Sequence, residues 1–288
     1  MAGLLSVVGT PIGNLQDASP RVIDVLGRAD VVLCEDTRVT GKLLSAFGLR
    51  TRLERCDENV IASRVPAVLE RLEAGERVAF VSDAGMPGVS DPGQKLVDAA
   101  LDAGLKVEVV PGPSAVTCAL VASGLASEHF FFEGFLPRKK SAQVARLEEL
   151  SCIPGALVVY ESPRRVAATL ANVAEVFPAR RVALVRELTK LHEECVRGLS
   201  GELAEAIAAR DEVRGECVVV IATPDDEELD ERRRAAAGGP ATLEEAIAEG
   251  ISAGEPKSGL ARRLAREFGV PKSEVYDAIL EAEAEAEA

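Results

Sequence analysis

Three glycine-rich loops, each directly after a short apolar run, constrain the fold of this chain more than any other feature. The longest, Ser82-Asp-Ala-Gly-Met-Pro-Gly-Val-Ser-Asp-Pro-Gly93, follows Val78-Ala-Phe-Val81. The loops Val8-Gly-Thr-Pro-Ile-Gly-Asn14 and Pro111-Gly-Pro-Ser-Ala115 end two similar runs. Glycine lets backbone approach a ligand closely, and proline holds the shape of a loop in advance. Because parallel strands end at one edge of a sheet, the three loops predict a single ligand crevice there.

Strand-like and helix-like segments alternate through two consecutive stretches, which predicts an α/β fold of two units. In the first unit we predict strands at 4–8, 30–35, 77–82 and 106–110, and helices at 20–28, 38–46, 60–74 and 92–103. In the second we predict strands at 130–135, 156–160, 181–185 and 216–221, a returning antiparallel strand at 192–199, and helices at 139–150, 163–177 and 201–210. We assign residues 1–112 and 113–223 to two α/β domains, and expect the substrate in the cleft between them.

The last part of the chain differs in composition from the two α/β units. We interpret residues 224–240 as a solvated linker and residues 241–288 as a small helical domain. In that domain Ala265, Gly269 and Val275 have the spacing of a helix-turn-helix. A small helical bundle with an ordinary glycine turn fits the same spacing equally well.

Composition removes several classes of function. The chain of 288 residues has six scattered cysteines without the spacing of zinc ligands, and two histidines, so we expect neither a metal site nor Ser-His-Asp catalysis. No apolar run approaches the ~20 residues of a membrane span, and we expect a cytoplasmic protein. The net charge is −14, but residues 223–288 hold 17 acidic and 8 basic residues. Overall acidity therefore says little about the surface around the cleft.

Seven short motifs occur in a fixed order along the two units. They are Val8-Gly-Thr-Pro-Ile-Gly-Asn-Leu15, Glu35-Asp-Thr-Arg38, Ser82-Asp-Ala-Gly-Met-Pro-Gly88, Pro111-Gly-Pro-Ser-Ala115, Gly134-Phe-Leu-Pro-Arg138, Glu161-Ser-Pro-Arg-Arg165 and Arg186-Glu-Leu-Thr-Lys190. Over residues 4 to about 222 this set strongly resembles the bacterial ribosomal RNA small subunit methyltransferase I family, a branch of the tetrapyrrole-methylase-like superfamily. The tail resembles the C-terminal helical domain of that family.

The resemblance implies a specific activity. It implies methylation, dependent on S-adenosylmethionine, of the ribose 2′-hydroxyl of a cytidine in the decoding region of 16S rRNA. The acceptor would be small-subunit rRNA or the assembled 30S subunit, and the enzyme would be a homodimer. The superfamily binds its cofactor in the cleft between the two α/β domains.

The resemblance also implies which loop residues contact the cofactor. The positions that match the family's cofactor loops are Pro11, Asp83, Gly85, Met86, Ser114 and Ala115. Two of them have a structural alternative. Ser114 stands where a helix begins and would serve equally as an N-cap, and Asp83 follows a strand as a turn former does.

Charged residues at the ends of strands are the candidates for catalysis. Asp36 and Arg38 follow a predicted strand, with a salt bridge between strand end and helix as their structural alternative. Glu187 and Lys190 interrupt a strand pattern, which places them at a domain edge or in the cleft. Methyl transfer needs no metal, and Lys190, Glu187 or Asp36 would each serve as a base for the hydroxyl. The residues leave that choice open, and orientation alone would suffice.

Two basic groups are candidates for phosphate contacts. One is the run Arg138, Lys139 and Lys140; the other is the pair Arg164 and Arg165 at a predicted helix start. Cations there oppose the helix dipole, a local cost that phosphate binding would explain. A solvated surface is the alternative for both groups.

Two rival functions use the same cleft. Methylation of a tetrapyrrole carbon or another small molecule is one, and the paired basic residues argue against it. A non-enzymatic RNA- or DNA-binding regulator with the cofactor as effector is the other. Chemistry is favoured instead by the charged group of Asp36, Arg38, Arg186, Glu187 and Lys190.

Overall fold

In a computed structural model of the chain, which describes residues 3–88, 93–236, 240 and 242–287, two five-stranded sheets follow one another. The first sheet is entirely parallel, in the order β3-β2-β4-β1-β5. Its strands are β1 (Leu4–Val8), β2 (Val31–Cys34), β3 (Leu53–Arg55), β4 (Arg77–Val81) and β5 (Lys106–Val110). Its helices are α1 (Pro20–Arg28), α2 (Thr37–Ala46), α3 (Ile61–Glu73) and α4 (Gln94–Asp102).

The central strands of this sheet are apolar because helices cover both of its faces. Along β4 successive side chains point to opposite faces. Val78 and Phe80 pack under α3 and α4, whereas Ala79 and Val81 pack under α1 and α2. Burial on both sides explains why the sequence showed continuous apolar runs rather than alternation.

The second sheet is mixed, in the order β6-β7-β10-β8-β9. Its strands are β6 (Phe130–Phe135), β7 (Ala156–Glu161), β8 (Arg181–Arg186), β9 (Glu194–Leu199) and β10 (Cys217–Ile221). Only β6 and β7 pair in parallel, and the expected antiparallel return is confirmed as β9 against β8. Its helices are α5 (Ala115–Ser123), α6 (Lys140–Leu150), α7 (Val166–Val176) and α8 (Ser200–Ala208). The two-unit α/β fold predicted from the sequence is confirmed.

Helix α5 joins the two units. It begins in the third glycine-rich loop, directly after β5, and packs on the second sheet. Val116 and Leu120 of α5 share a core cluster with Ile12 of the first loop and Val158 of β7. The opposite face of this sheet packs against α6, α7 and α8. The face that α5 covers is therefore the one that meets the loops of the first sheet.

The C-terminal segment has more regular structure than the sequence predicted. A helix, α9 (Asp226–Ala236), occupies most of the expected solvated linker. Acidic residues fill its first turn and arginines its last, which complements the helix dipole. Buried Arg180 pairs with Glu228 and attaches α9 to the second unit. The sequence did not distinguish the two because acidic residues followed by basic residues are typical of a solvated linker and also stabilise a helix through its dipole.

The C-terminal helical domain has a core of its own. It consists of α10 (Leu243–Ser252), α11 (Lys257–Phe268) and α12 (Lys272–Glu287). Gly269, at φ 69°, ends α11, and Val275 of α12 is buried against it. The second helix of this pair exposes Glu274, Asp277 and Glu281. An acidic helix at that position does not offer phosphates the basic face that a recognition helix presents. Within the described ranges, no helix combines the length and apolar composition that crossing a bilayer requires.

An ion cluster at the edge of the second sheet predicts a pH-dependent stability. Hydrogen bonds from Arg210 and Arg186 lower the pKa of Glu194 from 4.5 to about 2. The folded state thus favours the ionised form, so its stabilisation is complete above pH 4.5 and is lost as the pH falls towards 2. We expect Glu194→Gln to lower the free energy of unfolding at pH 7 by about 1–2 kcal/mol, since a partly exposed cluster is screened by solvent.

Urea unfolding between pH 7 and pH 3.5 measures this difference. The difference should stay constant from pH 7 to about pH 5 and shrink below pH 4.5. Glu212→Gln, at an exposed pair with Arg214, is the control and should change nothing. A pH-independent difference for Glu194→Gln would assign the effect to packing rather than to charge.

Candidate active site

A cleft of about 460 Å³ lies between the two sheets. Both units contribute to its wall: the loops after β1, β2, β4 and β5 from the first, and the ends of β6, β7 and β10 from the second. The lining residues are Ile12, Glu35, Asp83, Ala84, Gly85, Met86, Ser114, Ala115, Phe135, Tyr160, Glu161, Ser162, Pro163, Gly215, Glu216, Cys217 and Val218. The crevice predicted at the carboxyl edge of the parallel sheet is therefore where the cavity lies.

The three glycine-rich loops touch one another through their backbones. A Cβ on Gly9 would lie 2.6 Å from both the Gly112 nitrogen and the Met86 sulfur. Thr10 and Gly85 exchange two backbone hydrogen bonds, and Gly85 has φ 80°. The loops form one compact wall because glycine stands at each of these contacts.

Most of the residues predicted to bind the cofactor line this cleft. Asp83, Gly85, Met86, Ser114 and Ala115 all do. Pro11 is buried beside the lining residue Ile12. Residues 89–92 of the second loop lie outside the described residues.

The structure shows which hydrogen bonds Ser114 and Asp83 make, and so bears on their structural alternatives, an N-cap and a turn. Ser114 begins α5 without a side-chain capping hydrogen bond, so its hydroxyl is not used as an N-cap. Asp83 is tied to the neighbouring strand end, where its carboxylate accepts a bond from the Asp36 N–H at 3.2 Å. The Asp83 N–H in turn donates to Glu35 at 3.4 Å.

Asp36 and Arg38 make the contacts of their structural alternative. The carboxylate of Asp36 caps α2, accepting a bond from the Arg38 N–H at 2.8 Å, and it also pairs with the Arg38 guanidinium at 2.6 Å. The side-chain hydrogen bond from Arg38 holds the pKa of Asp36 well below its usual range. A carboxylate so stabilised in its ionised form is a poor proton acceptor at neutral pH.

Glu187 and Lys190 meet beside Glu216, which lines the cleft directly before β10. The Lys190 ammonium donates to Glu187 and to the cleft residue Glu216, both at 2.8 Å. Burial would lower the pKa of Lys190, but these two hydrogen bonds outweigh it and raise the pKa. The Lys190 hydrogen bond lowers the pKa of Glu187. Lys190 is thus held as a cation, which removes it as a proton acceptor.

The backbone around this pair is strained. Glu187 and Thr189 have φ of 53° and 64°, in the left-handed region that side chains rarely adopt. A Cβ on Gly215 would collide with the carboxylate of Glu187. Residues in such conformations cluster at functional sites, where the surrounding structure holds them in place.

The five predicted RNA-contact residues divide into two groups. Arg138, Lys139 and Arg164 are exposed and have no acidic partner in the described part of the chain. We call these three the basic rim. Lys140 instead pairs with Glu175 on α7.

Arg165 has a structural role. Its guanidinium donates to the carbonyl oxygens of Leu136 and Pro137 at 3.0 and 3.1 Å, and lies 3.2 Å from the buried carboxylate of Glu161. It therefore fastens the loop that carries Arg138 and Lys139 to the end of β7.

Because Arg164 is exposed and Arg165 has partners within the protein, substitution of these two adjacent arginines should give opposite results. Arg164→Ala should leave stability unchanged and reduce the salt dependence of 16S rRNA binding by about one unit of slope. Arg165→Ala should lower the free energy of unfolding by about 2–3 kcal/mol, because a buried carboxylate loses its cation. Urea unfolding and salt titrations of binding measure both effects. An Arg165→Ala variant of normal stability with a reduced salt slope would make it an RNA contact after all.

Several lining residues carried no site prediction from the sequence. Glu35, Phe135 and Glu161 belong to the seven motifs, so membership of a motif could have identified them as residues of the site. Gly215 and Glu216 had no comparable signal, since they lie outside all seven motifs.

Comparisons with known proteins agree with this architecture. The model of the tetrapyrrole (corrin/porphyrin) methylase family matches residues 4–204. The fold is similar to that of uroporphyrin-III C-methyltransferase from Thermus thermophilus complexed with S-adenosylhomocysteine. The TM-score is 0.54 at 21% identity, over 76% of this chain and 96% of that chain.

Two curated relatives are similar over nearly their whole length, and both carry the name ribosomal RNA small subunit methyltransferase I. The protein of Mycobacterium tuberculosis (strain H37Rv) is 45% identical, over 99% of this chain and 97% of its own. That of Mesorhizobium japonicum is 41% identical, over 96% and 91%. The expectations of family and of a methyltransferase are confirmed: the chain belongs to the ribosomal RNA small subunit methyltransferase I family, within the tetrapyrrole methylases.

Proposed function

We propose that this enzyme transfers the methyl group of S-adenosylmethionine to the ribose 2′-hydroxyl of a cytidine in the decoding region of 16S rRNA. The observation that carries the proposal is one cleft with two different sides. Glycine-rich loops form its inner wall. The unpaired cations of the basic rim follow the strand ends at its mouth.

The residues of the inner wall suit S-adenosylmethionine, the methyl donor of the family. Asp83 and Ser114 supply a carboxylate and a free hydroxyl, and the backbone around Gly85 is open to the cleft. Ile12 and Val218 supply apolar surface for an adenine ring. When bound, the donor supplies an electrophilic methyl group on a sulfonium.

The basic rim suits a polyanion. Phosphate contacts by arginine and lysine supply most of the affinity for RNA and fix its orientation. Arg138 and Lys139 follow the end of β6, and Arg164 follows the cleft residue Pro163. An RNA strand bound there would present a nucleotide to the cleft.

For the acceptor side, we assign Lys190 the role of stabilising negative charge on the ribose oxygen. Its ammonium is held by Glu187 and Glu216 and stays charged throughout the transfer. In that step the ribose oxygen bonds to the methyl group, the carbon–sulfur bond of the donor breaks and the hydroxyl proton passes to solvent at the mouth of the cleft. Asp36 acts as a positioning residue, since its N–H binds the carboxylate of Asp83, and Arg38 completes that arrangement. Orientation and exclusion of water supply the rest of the catalysis.

The test is methyl transfer from labelled S-adenosylmethionine to 30S subunits and to naked 16S rRNA, both lacking the modification, followed by nucleoside analysis. We expect 2′-O-methylcytidine from one of the two acceptors, and the better acceptor identifies the physiological substrate. Cofactor binding without any label in RNA would contradict the proposal and favour a small-molecule acceptor.

We also propose that the enzyme is a homodimer located in the cytoplasm with its ribosomal substrate. Exposed Val109 and Val121 supply apolar surface for a second copy. Light scattering should give twice the chain mass of 30.4 kDa. A single-chain mass at working concentration would contradict the dimer.

A further inference from the structure

An aromatic side chain stands exposed at the mouth of the cleft. Phe135, the last residue of β6, is 60% exposed although it lines the cavity. Its ring lies 5.7 Å from that of Tyr160, at an interplanar angle of 62°. Aromatic residues make up only 3% of this chain, and none is tryptophan. An exposed aromatic ring at the mouth of a cleft is typical of a ligand-binding surface.

A β-bulge directs Phe135 towards the cleft. In the pairing of β6 with β7, Phe132 lies opposite Val158 and Gly134 opposite Val159, so Glu133 is the extra residue. Without it, Phe132 and Phe135 would point to opposite faces, because side chains alternate along a strand. With it, both rings contact Tyr160. Gly134 adopts φ 78°, which the bulge requires and glycine permits.

Cations follow the ends of β6 and β7, the two strands that carry this ring and its neighbour Tyr160. Arg138 and Lys139 come three and four positions later, on the loop that Arg165 fastens to the end of β7. Arg164 comes directly after Pro163, which lines the same cleft. An exposed aromatic ring followed by cations on both strands matches the chemistry of a single-stranded nucleotide, whose base stacks while its phosphates bind arginine and lysine.

We propose that Phe135 is the platform on which the base of the target nucleotide stacks once it has left its own stack. The inference rests on the proposed function and names a substrate-positioning contact for it. A ribose can enter a cleft between two sheets only if its nucleotide is splayed out of the RNA. Stacking on Phe135 offsets the energy of unstacking and orients the ribose. Because every base has an aromatic face, the contact positions the nucleotide without reading its sequence.

Phe130, another exposed aromatic residue of this strand, has different surroundings. Phe130 begins β6, about 16 Å from Phe135 at the rise of a strand, and does not line the cleft. It is exposed to a similar degree. Phe130 therefore serves as a matched control, and as the residue expected to respond if the surface binds protein.

The first experiment compares Phe135→Leu, Phe135→Trp and Phe130→Leu on the acceptor that the wild-type enzyme methylates. Phe135→Leu keeps an apolar side chain but loses the aromatic face, and should lower kcat/KM by about tenfold to a hundredfold. Phe135→Trp should restore it to within about threefold, since indole stacks as well as phenyl. Phe130→Leu should match the wild type. Affinity for S-adenosylmethionine, by calorimetry, should be the same in all four proteins.

The second experiment does not need turnover. Because the chain has no tryptophan, Phe135→Trp places one fluorophore at the platform and Phe130→Trp places one outside it. Naked 16S rRNA should quench the first and leave the second unchanged.

Two activity results would overturn the platform: a fully active Phe135→Leu, or equal losses in Phe135→Leu and Phe135→Trp. A loss of cofactor affinity in Phe135→Leu would also overturn it. An altered oligomeric state of Phe135→Leu, measured by light scattering, would assign the ring to a second copy of the chain. Absence of quenching at position 135 would also overturn the platform. A wild-type enzyme that leaves RNA unmethylated while rRNA still quenches Phe135→Trp would instead refute the proposed function and retain the stacking contact.

Discussion

Replacing Gly85 with valine is expected to lower the affinity for S-adenosylmethionine by at least about a hundredfold while the chain stays folded. Gly85 has φ 80° and is bonded on both sides to Thr10, so the backbone holds its position. A Cβ there would point between Ile12 Cγ2 at 3.5 Å and the Pro113 oxygen at 3.6 Å. There is room for that one atom, and the two further methyl groups of valine would narrow the cleft in which we expect the cofactor to bind.

Gly104→Val is the matched control for this prediction. Gly104 also has a positive φ, 68°, but nothing lies within 4 Å of its Cβ position and it lies outside the cleft. Both variants carry the backbone strain of a β-branched residue, about 1–3 kcal/mol. Calorimetry measures the affinity of each variant for S-adenosylmethionine, and thermal unfolding measures its stability. Together they separate the effect of backbone strain from that of a blocked cleft. Equal affinity losses in the two variants, or normal binding by Gly85→Val, would remove this loop from the cofactor site.

Lys190→Met should lower kcat on the ribosomal acceptor by about a hundredfold, the usual effect of removing one group that stabilises charge in a transition state. Methionine keeps most of the length of the side chain but leaves Glu187 and Glu216 without the ammonium between them. The cation that would stabilise the ribose oxygen is gone, and two carboxylates remain in its place. Affinity for S-adenosylmethionine should change by no more than about threefold, because Lys190 does not line the cleft itself.

Two further variants identify the cause of that loss. Lys190→Arg keeps the charge and should retain more activity than Lys190→Met. Lys95→Met removes another lysine that pairs with a glutamate, Glu58, on the surface, and should be fully active. Single-turnover rates with saturating cofactor measure the effect on chemistry. Full activity of Lys190→Met would remove this residue from the mechanism, and equal losses for arginine and methionine would show that fit rather than charge matters.

The strands could be predicted wherever burial on both faces makes them continuously apolar, as in β4 and β10. The strand that escaped prediction, β3, is short, lies at the edge of its sheet and has two charged residues among its three. Helix α9 was missed for the opposite reason. Its charges satisfy a helix dipole, a property that composition alone does not distinguish from solvation.

The glycine-rich loops that line the cleft were also predictable, because the signal for them is local. A glycine next to a strand end expresses a requirement of its own backbone, as at Gly9 and Gly85. The roles of the charged residues were not predictable in this way. Asp36 and Arg38 form a helix cap, and the adjacent Arg164 and Arg165 differ in what surrounds them.

The sequence by itself determined the family, the order of the elements apart from β3 and α9, and the three loops that line the cleft. Only the tertiary structure decided which charged groups are free to meet a ligand. The physical reason is distance along the chain: Arg165 binds a carbonyl 29 residues before it, and Lys190 binds a carboxylate 26 residues after it. Whether a cation is neutralised depends on such partners, and packing brings them together. The exposed ring of Phe135 has the same origin, since one extra residue in β6 reverses the face to which it points.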